Sequence, residues 1–219
     1  MSNAFDFRQV KPRLLYETAA DQIRRAIHAG KYAPGSRLNE VEIARSLSLS
    51  RGPVREALRL LEQEGVATSA PQKGVRVAQI SRRDAADALA LRETLETLAS
   101  EETAANVNDE DIADLADIID AMSAAEQAGD ILDAVDLDYA FHERFLEIAS
   151  TETTKRVWRS IAGQIRMYQA LGDTAWIQSG SVAQSHQPIL DALKSRDSTR
   201  LHAAIISHIE ENRSSIRNL

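Results

Sequence analysis

Apolar residues recur every three or four positions along most of the chain, the period of an amphipathic helix. Leu15, Ala19, Ile23 and Ile27 form the first such stripe, and Gly30 reads as its C-terminal cap. After the turn Ala33-Pro34-Gly35-Ser36, the pattern predicts a short helix over about 39–47 and a second over about 50–64, stopped by Gly65. The period then changes. Val66–Ser69 and Val75–Ala78 are short β-prone pieces, separated by the turn-rich Ala70-Pro71-Gln72-Lys73-Gly74. Three helices and a hairpin in this order are the layout of a winged helix-turn-helix.

From Ser81 onward the helical period is unbroken. It predicts helices at 82–106, 109–128, 131–150, 153–171, 174–187, 188–195 and 197–217. Ser81, Asn108, Asp130, Thr153, Asp173 and Asp197 mark starts, and Gly129 and Gly172 mark stops. No sequence repeat is visible, so a bundle is expected rather than a solenoid. The expected fold is therefore mainly α: a winged helix-turn-helix over 1–80 (helix-turn-helix about 40–59), then an all-helical domain over 81–219.

Composition narrows the chemistry. None of the 219 residues is cysteine, which excludes disulfide scaffolds, thiol nucleophiles and cysteine-ligated metals. There is no apolar run of about eighteen residues and no apolar signal core at the N-terminus, so a cytoplasmic protein without membrane contact is expected. The net charge of −7 is unevenly spread: 13 Lys+Arg against 8 Asp+Glu in residues 1–80 give +5, and 13 against 25 in residues 81–219 give −12. A basic module joined to an acidic one points to two different tasks.

Within the basic module, Ser50 is a natural N-cap and Pro53 falls in a first helical turn, where it is tolerated. Val54, Leu58 and Leu61 share one face, while Arg51, Arg55 and Arg59 share another. An arginine stripe that begins at a helix N-terminus suits the major groove, because guanidinium forks meet guanine edges or phosphate. Lys73 and Gly74 at the hairpin tip extend the same reading. The stretch LNEVEIARSLSLSRGPVREALRLLEQEGV closely resembles the N-terminal domain of GntR-type transcription regulators of the FadR-like branch. The resemblance covers about 10–80 and implies DNA contacts by Ser50, Arg51 and Arg55, with the wing around Gly74 in the minor groove. Some members carry a base-contacting arginine where this chain has Val41, so the operator of a relative does not transfer.

The acidic module places histidines on apolar stripes. Asp138 and His142 lie one turn apart among Ile131, Val135 and Phe145; His186 lies with Val182, Ile189, Leu190 and Leu193; His208 lies with Leu201 and Ile205. One buried carboxylate and three imidazoles satisfy one another around a divalent cation, zinc first among Zn²⁺, Ni²⁺ and Mn²⁺. A core histidine remains the simpler reading of any one of them taken alone. His28 is expected to meet helix carbonyls at the end of the first helix, and His202 points elsewhere.

Leu91-Arg92-x-x-Leu95-Glu96, Asp138-x-x-Phe141-His142, His186-x-x-Ile189-Leu190 and His208 resemble the motifs of the FCD ligand-binding domain that follows the FadR-like DNA module. Metal-binding members carry the Asp and three His at these positions. Arg92 shares a stripe with Leu89, Leu95 and Ala99 and so points inward, and the resemblance implies that it receives a ligand carboxylate; a buried ion pair is the competing role. Arg166 is a second candidate of the same kind. The expected function is a homodimeric, non-enzymatic regulator that binds a double-stranded DNA operator and responds to a small organic acid held near the metal. A purely structural metal and a mononuclear metalloenzyme are the alternatives.

Overall fold

In the structure, a computed structural model, residues 15–70, 74–171 and 181–217 are described. The first helix, α1 (Leu15–His28), buries Ala19, Ala20, Ile23 and Ile27. Next, α2 (Glu40–Ser46) starts at Asn39, whose side chain accepts from the amides of Val41 and Glu42. The third helix, α3 (Arg51–Gln63), buries Val54, Ala57, Leu58 and Leu61; Ser50 has the extended backbone of an N-cap but makes no side-chain capping bond. Strands β1 (Ala67–Ala70) and β2 (Gly74–Val77) pair antiparallel, with Ala67 opposite Val77 and Ala70 opposite Gly74. An isolated bridge between Arg37 and Arg76 ties the segment before α2 to this wing.

The second part contains α4 (Arg82–Asn106), α5 (Asp109–Ala128), α6 (Ile131–Ala149), α7 (Glu152–Leu171), α8 (Val182–Ser195) and α9 (Ser198–Arg217). Short polar side chains set the starts. Ser81 with Asp84 and Asn108 with Asp111 form reciprocal capping boxes, and Asp130 accepts from the amide of Asp133. The α7 start lies at Glu152 rather than Thr153, with Thr151 Oγ1 accepting from the Thr154 amide. Two separate helices meeting at 188 are not found: α8 runs through Pro188 without a break. Proline removes one amide donor, and flanking packing by Val182, Ile189, Leu190 and Leu193 keeps the helix intact. The predicted stop at Gly172, the start at Asp173 and the helical stretch before 181 lie outside the described residues.

Two cores result. One gathers α1–α3 and the wing; the other fills the bundle around Phe141, Phe145, Trp158 and Leu193. They are stitched together: Met167 of α7 is buried in the first core, and Ile80 packs against both. Among the described residues no helix is long and apolar enough to cross a membrane.

Candidate metal centre and nucleic-acid interface

Three helices of the bundle converge on one point. Asp138 and His142 come from α6, one turn apart, His186 from α8 and His208 from α9. All four are buried, at most 3% exposed, and each offers a ligand atom within 4.8 Å of the others. Neighbouring groups fix which nitrogen of each ring carries the proton. His142 Nδ1 lies 2.9 Å from Glu96 Oε2, His186 Nδ1 lies 2.7 Å from the Val182 carbonyl, and His208 Nδ1 lies 3.3 Å from the Ser185 carbonyl. These partners only accept, so each Nδ1 donates and each Nε2 is left with a lone pair.

The lone pairs then crowd together. His142 Nε2 and His186 Nε2 are 3.1 Å apart, and Asp138 Oδ1 lies 3.3 Å from the latter with no hydrogen-bond donor of its own. Buried acceptors facing acceptors repel unless a cation lies among them. Oxygen and imidazole nitrogen are the donors that zinc and its neighbours prefer. This set fits a divalent metal.

Burial and the surrounding charges bear on Asp138, His142 and His208 and on Glu96 behind them. Burial pushes the Glu96 carboxyl up, but His142 and the Arg92 guanidinium outweigh it and hold it at about 2. Asp138 is likewise pushed up by burial, yet Arg92 and the histidines hold it well below the usual carboxylate range. Burial, reinforced by Arg92, keeps His142 below its ordinary value, and burial depresses His208 strongly. Carboxylates stay ionised and these rings stay neutral. Three residues without an assigned role in the sequence complete the shell. Glu96 Oε1 accepts from Arg92 Nε at 2.9 Å and from Trp158 Nε1 at 3.1 Å, while Asn212 Nδ2 lies 3.3 Å from His208 Nε2.

Arg92 does point inward, 2% exposed. It forms the ion pair with Glu96 and approaches Asp138 Oδ2 at 3.7 Å through Nη1, while its buried Nη2 has no partner. Beside it lies a small cavity of about 10 Å³, the space of about one water, lined by Arg92, Asp138, Trp158, Arg166 and Gln169, among others. Arg166 reaches this wall but commits two nitrogens to Asp136, with its guanidinium 4.9 Å from the centre of the Tyr139 ring. His28 departs from expectation. It is buried, and neither ring nitrogen has a hydrogen-bond partner, so it does not meet helix carbonyls.

At the other end, Arg51 and Arg55 project from α3 and are more than half exposed. Ser50 precedes them, and exposed Val41 lies on α2. Gly74 opens β2 with a φ of +72°, a conformation that disfavours a side chain, and the Arg37 guanidinium lies beside it. Lys73 lies outside the described residues.

Comparison with known proteins agrees with this division of labour. Residues 15–77 match the profile of the bacterial regulatory proteins of the gntR family, and residues 87–211 match the FCD domain. The chain is 32% identical over 186 residues to the Nta operon transcriptional regulator of Aminobacter aminovorans, covering 83% of this chain and 84% of that one. It is 29% identical over 201 residues to the probable D-xylose utilization operon transcriptional repressor of Paenarthrobacter nicotinovorans, covering 90% and 88%. Among solved structures, Escherichia coli McbR/YncC superposes with a TM-score of 0.77 over 96% of this chain and 99% of that one. At 19% identity, that likeness concerns the fold.

Proposed function

The chain belongs to the gntR family of bacterial regulatory proteins and carries an FCD domain, and from that premise we propose which of its residues read DNA and which receive the effector. It is a DNA-binding transcriptional regulator with a C-terminal effector-binding domain. In our reading, the DNA module occupies residues 1–80 and the effector domain 81–219. Ser50, Arg51 and Arg55 enter the major groove and the wing at Lys73 and Gly74 the minor groove, in a cytoplasmic homodimer without catalytic activity of its own.

Asp138, His142, His186 and His208 hold one divalent ion, zinc first, with nickel or manganese as alternatives. The carrying observation is the convergence of one buried carboxylate and three imidazoles, each ring with its Nδ1 held by an acceptor on the far side. A metal there supplies a Lewis-acid anchor for an oxygen of a small organic acid. The orphaned Nη2 of Arg92, at the wall of the adjoining cavity, offers a second anchor for a carboxylate, with Arg166 at the margin.

Metal analysis combined with thermal melting tests the reading. Wild type is expected to carry about one equivalent of metal, and His142→Ala and His208→Ala close to none. Metal at a hundredfold excess over Kd stabilises the folded state by about 2.7 kcal/mol, so chelation should lower Tm by roughly 5–10 °C in wild type alone. Metal-free wild type with unchanged melting after chelation and zinc addition would leave these residues as core histidines.

A further inference from the structure

The three arginines of α3 differ in what holds them. Arg59 pairs within its own helix, with Glu56 at 2.8 Å. Arg51 and Arg55 instead reach across to α2 and share one carboxylate. Glu40 accepts from Arg51 Nε at 2.7 Å and from Arg55 Nη2 at 3.1 Å through Oε1, and from Arg55 Nε at 3.3 Å through Oε2. Its backbone is fixed, because it follows the Asn39 cap as the first residue of α2. The bonds use Nε of Arg51 and Nε and Nη2 of Arg55. They leave the terminal nitrogens of Arg51 and Nη1 of Arg55 available to a groove.

We propose that Glu40 is a positioning residue that sets the specificity of operator reading, by holding Arg51 and Arg55 in one orientation and competing for them with phosphate. The inference rests on the reading of α3 as the recognition helix. A free arginine has many rotamers to lose on binding, and a held one has fewer, so pre-ordered forks favour acceptors that stand where the forks already point. Base edges are such fixed acceptors, whereas phosphates line every duplex and attract guanidinium regardless of sequence. A carboxylate bonded to both arginines opposes that indiscriminate attraction and repels the phosphate backbone. Glu40 thereby weakens binding to arbitrary DNA more than binding to the operator.

The test uses the full chain, with wild type, Glu40→Gln, Glu42→Gln and Arg51→Ala. Each is titrated by fluorescence anisotropy against a duplex selected from random sequence by the wild type and against a scrambled duplex, between 50 and 200 mM salt, with melting curves as a folding control. Glu42 is the matched control: it lies in the same first turn of α2, and its carboxylate is not bonded to either arginine. Glu40→Gln is expected to tighten scrambled binding about five- to tenfold and to steepen its log–log salt slope by about 0.9, one unit of charge. Selected-duplex affinity should stay level or fall, so the specificity ratio drops about tenfold. Glu42→Gln should move both duplexes together and leave the ratio unchanged. An unchanged ratio in Glu40→Gln, an equal loss of ratio in Glu42→Gln, or parallel weakening on both duplexes with a lower Tm overturns the proposal and makes Glu40 structural. If Arg51→Ala keeps wild-type affinity for the selected duplex, the recognition-helix reading itself falls, an outcome separate from the behaviour of Glu40.

Discussion

His28 is a titratable side chain that the proposed sites do not use, buried between guanidinium groups. Burial, then Arg166, then Arg24 push its imidazole down to about 3. Those arginines are themselves engaged, Arg24 by Glu64 and Asp21 and Arg166 by Asp136. The unfolded chain binds the proton first, near pH 6.5, so the contribution of His28 to stability is complete above that pH. It is lost as the pH falls toward 3, at up to about 1.4 kcal/mol per unit. In chelated protein, where the metal ligands cannot confuse the comparison, Tm should fall more steeply from pH 6.5 to 4 in wild type than in His28→Leu. Parallel curves would show that the ring escapes protonation by local opening. At this scale the sequence carries part of the site. Asp138 and His142 are legible because both interrupt one apolar stripe at a spacing of four. Glu96 is not, since it orients His142 from 46 residues away, and at short range it reads as an ordinary helical partner of Arg92. Asn212 follows His208 by one turn, but nothing in the spacing tells a neighbour of the ring from a solvated amide.

At the scale of elements, the seam between the domains is set by one missing side chain. Gly163 of α7 lies against the C-terminal end of α3, and a Cβ there would stand 2.2 Å from the Glu64 carbonyl oxygen. Glu64 is also held within the first domain by Arg24 of α1 in a bidentate pair, while Arg25 reaches Asp133 and Asp136 on α6. Gly163→Ala cannot be relieved by a rotamer change, because the obstacle is backbone. It should cost about 1–3 kcal/mol, seen as a lower Tm and faster proteolysis at the segment after β2, with metal content unchanged. A variant as stable and as resistant as wild type would mean that the two domains do not hold this contact. Helix limits were largely legible, because Ser81, Asn108 and Asp130 announce themselves by capping chemistry. Pro188 misled because its local preference to end a helix is real and is overruled by packing on both sides, which no single position reveals. Gly163 reads as an ordinary helix weakness until α3 is seen lying on it.

At the scale of the whole molecule, the charge division follows the division of tasks: the +5 module carries the DNA-reading helix, and the −12 module cannot cling to DNA and blur the selection. One winged helix offers a small footprint, so tight specific binding calls for two modules on a two-fold site. We propose that exposed apolar side chains of the bundle pair them. Leu91 and Leu98, two turns apart on α4, are 50% and 71% exposed, and Ile206 on the adjacent α9 is 38% exposed. A soluble chain seldom leaves several large apolar side chains on two neighbouring helices to water without a partner. The two-fold demand of DNA makes a second copy of this chain the fitting one. Sedimentation at micromolar concentration should therefore give a dimer for wild type and a monomer, folded and metal-loaded, for Leu98→Glu. That monomer should bind the selected duplex at least tenfold more weakly, since it must assemble on DNA what wild type brings assembled. A monomeric wild type removes the dimer, and a dimeric Leu98→Glu with unchanged affinity moves the interface to another face.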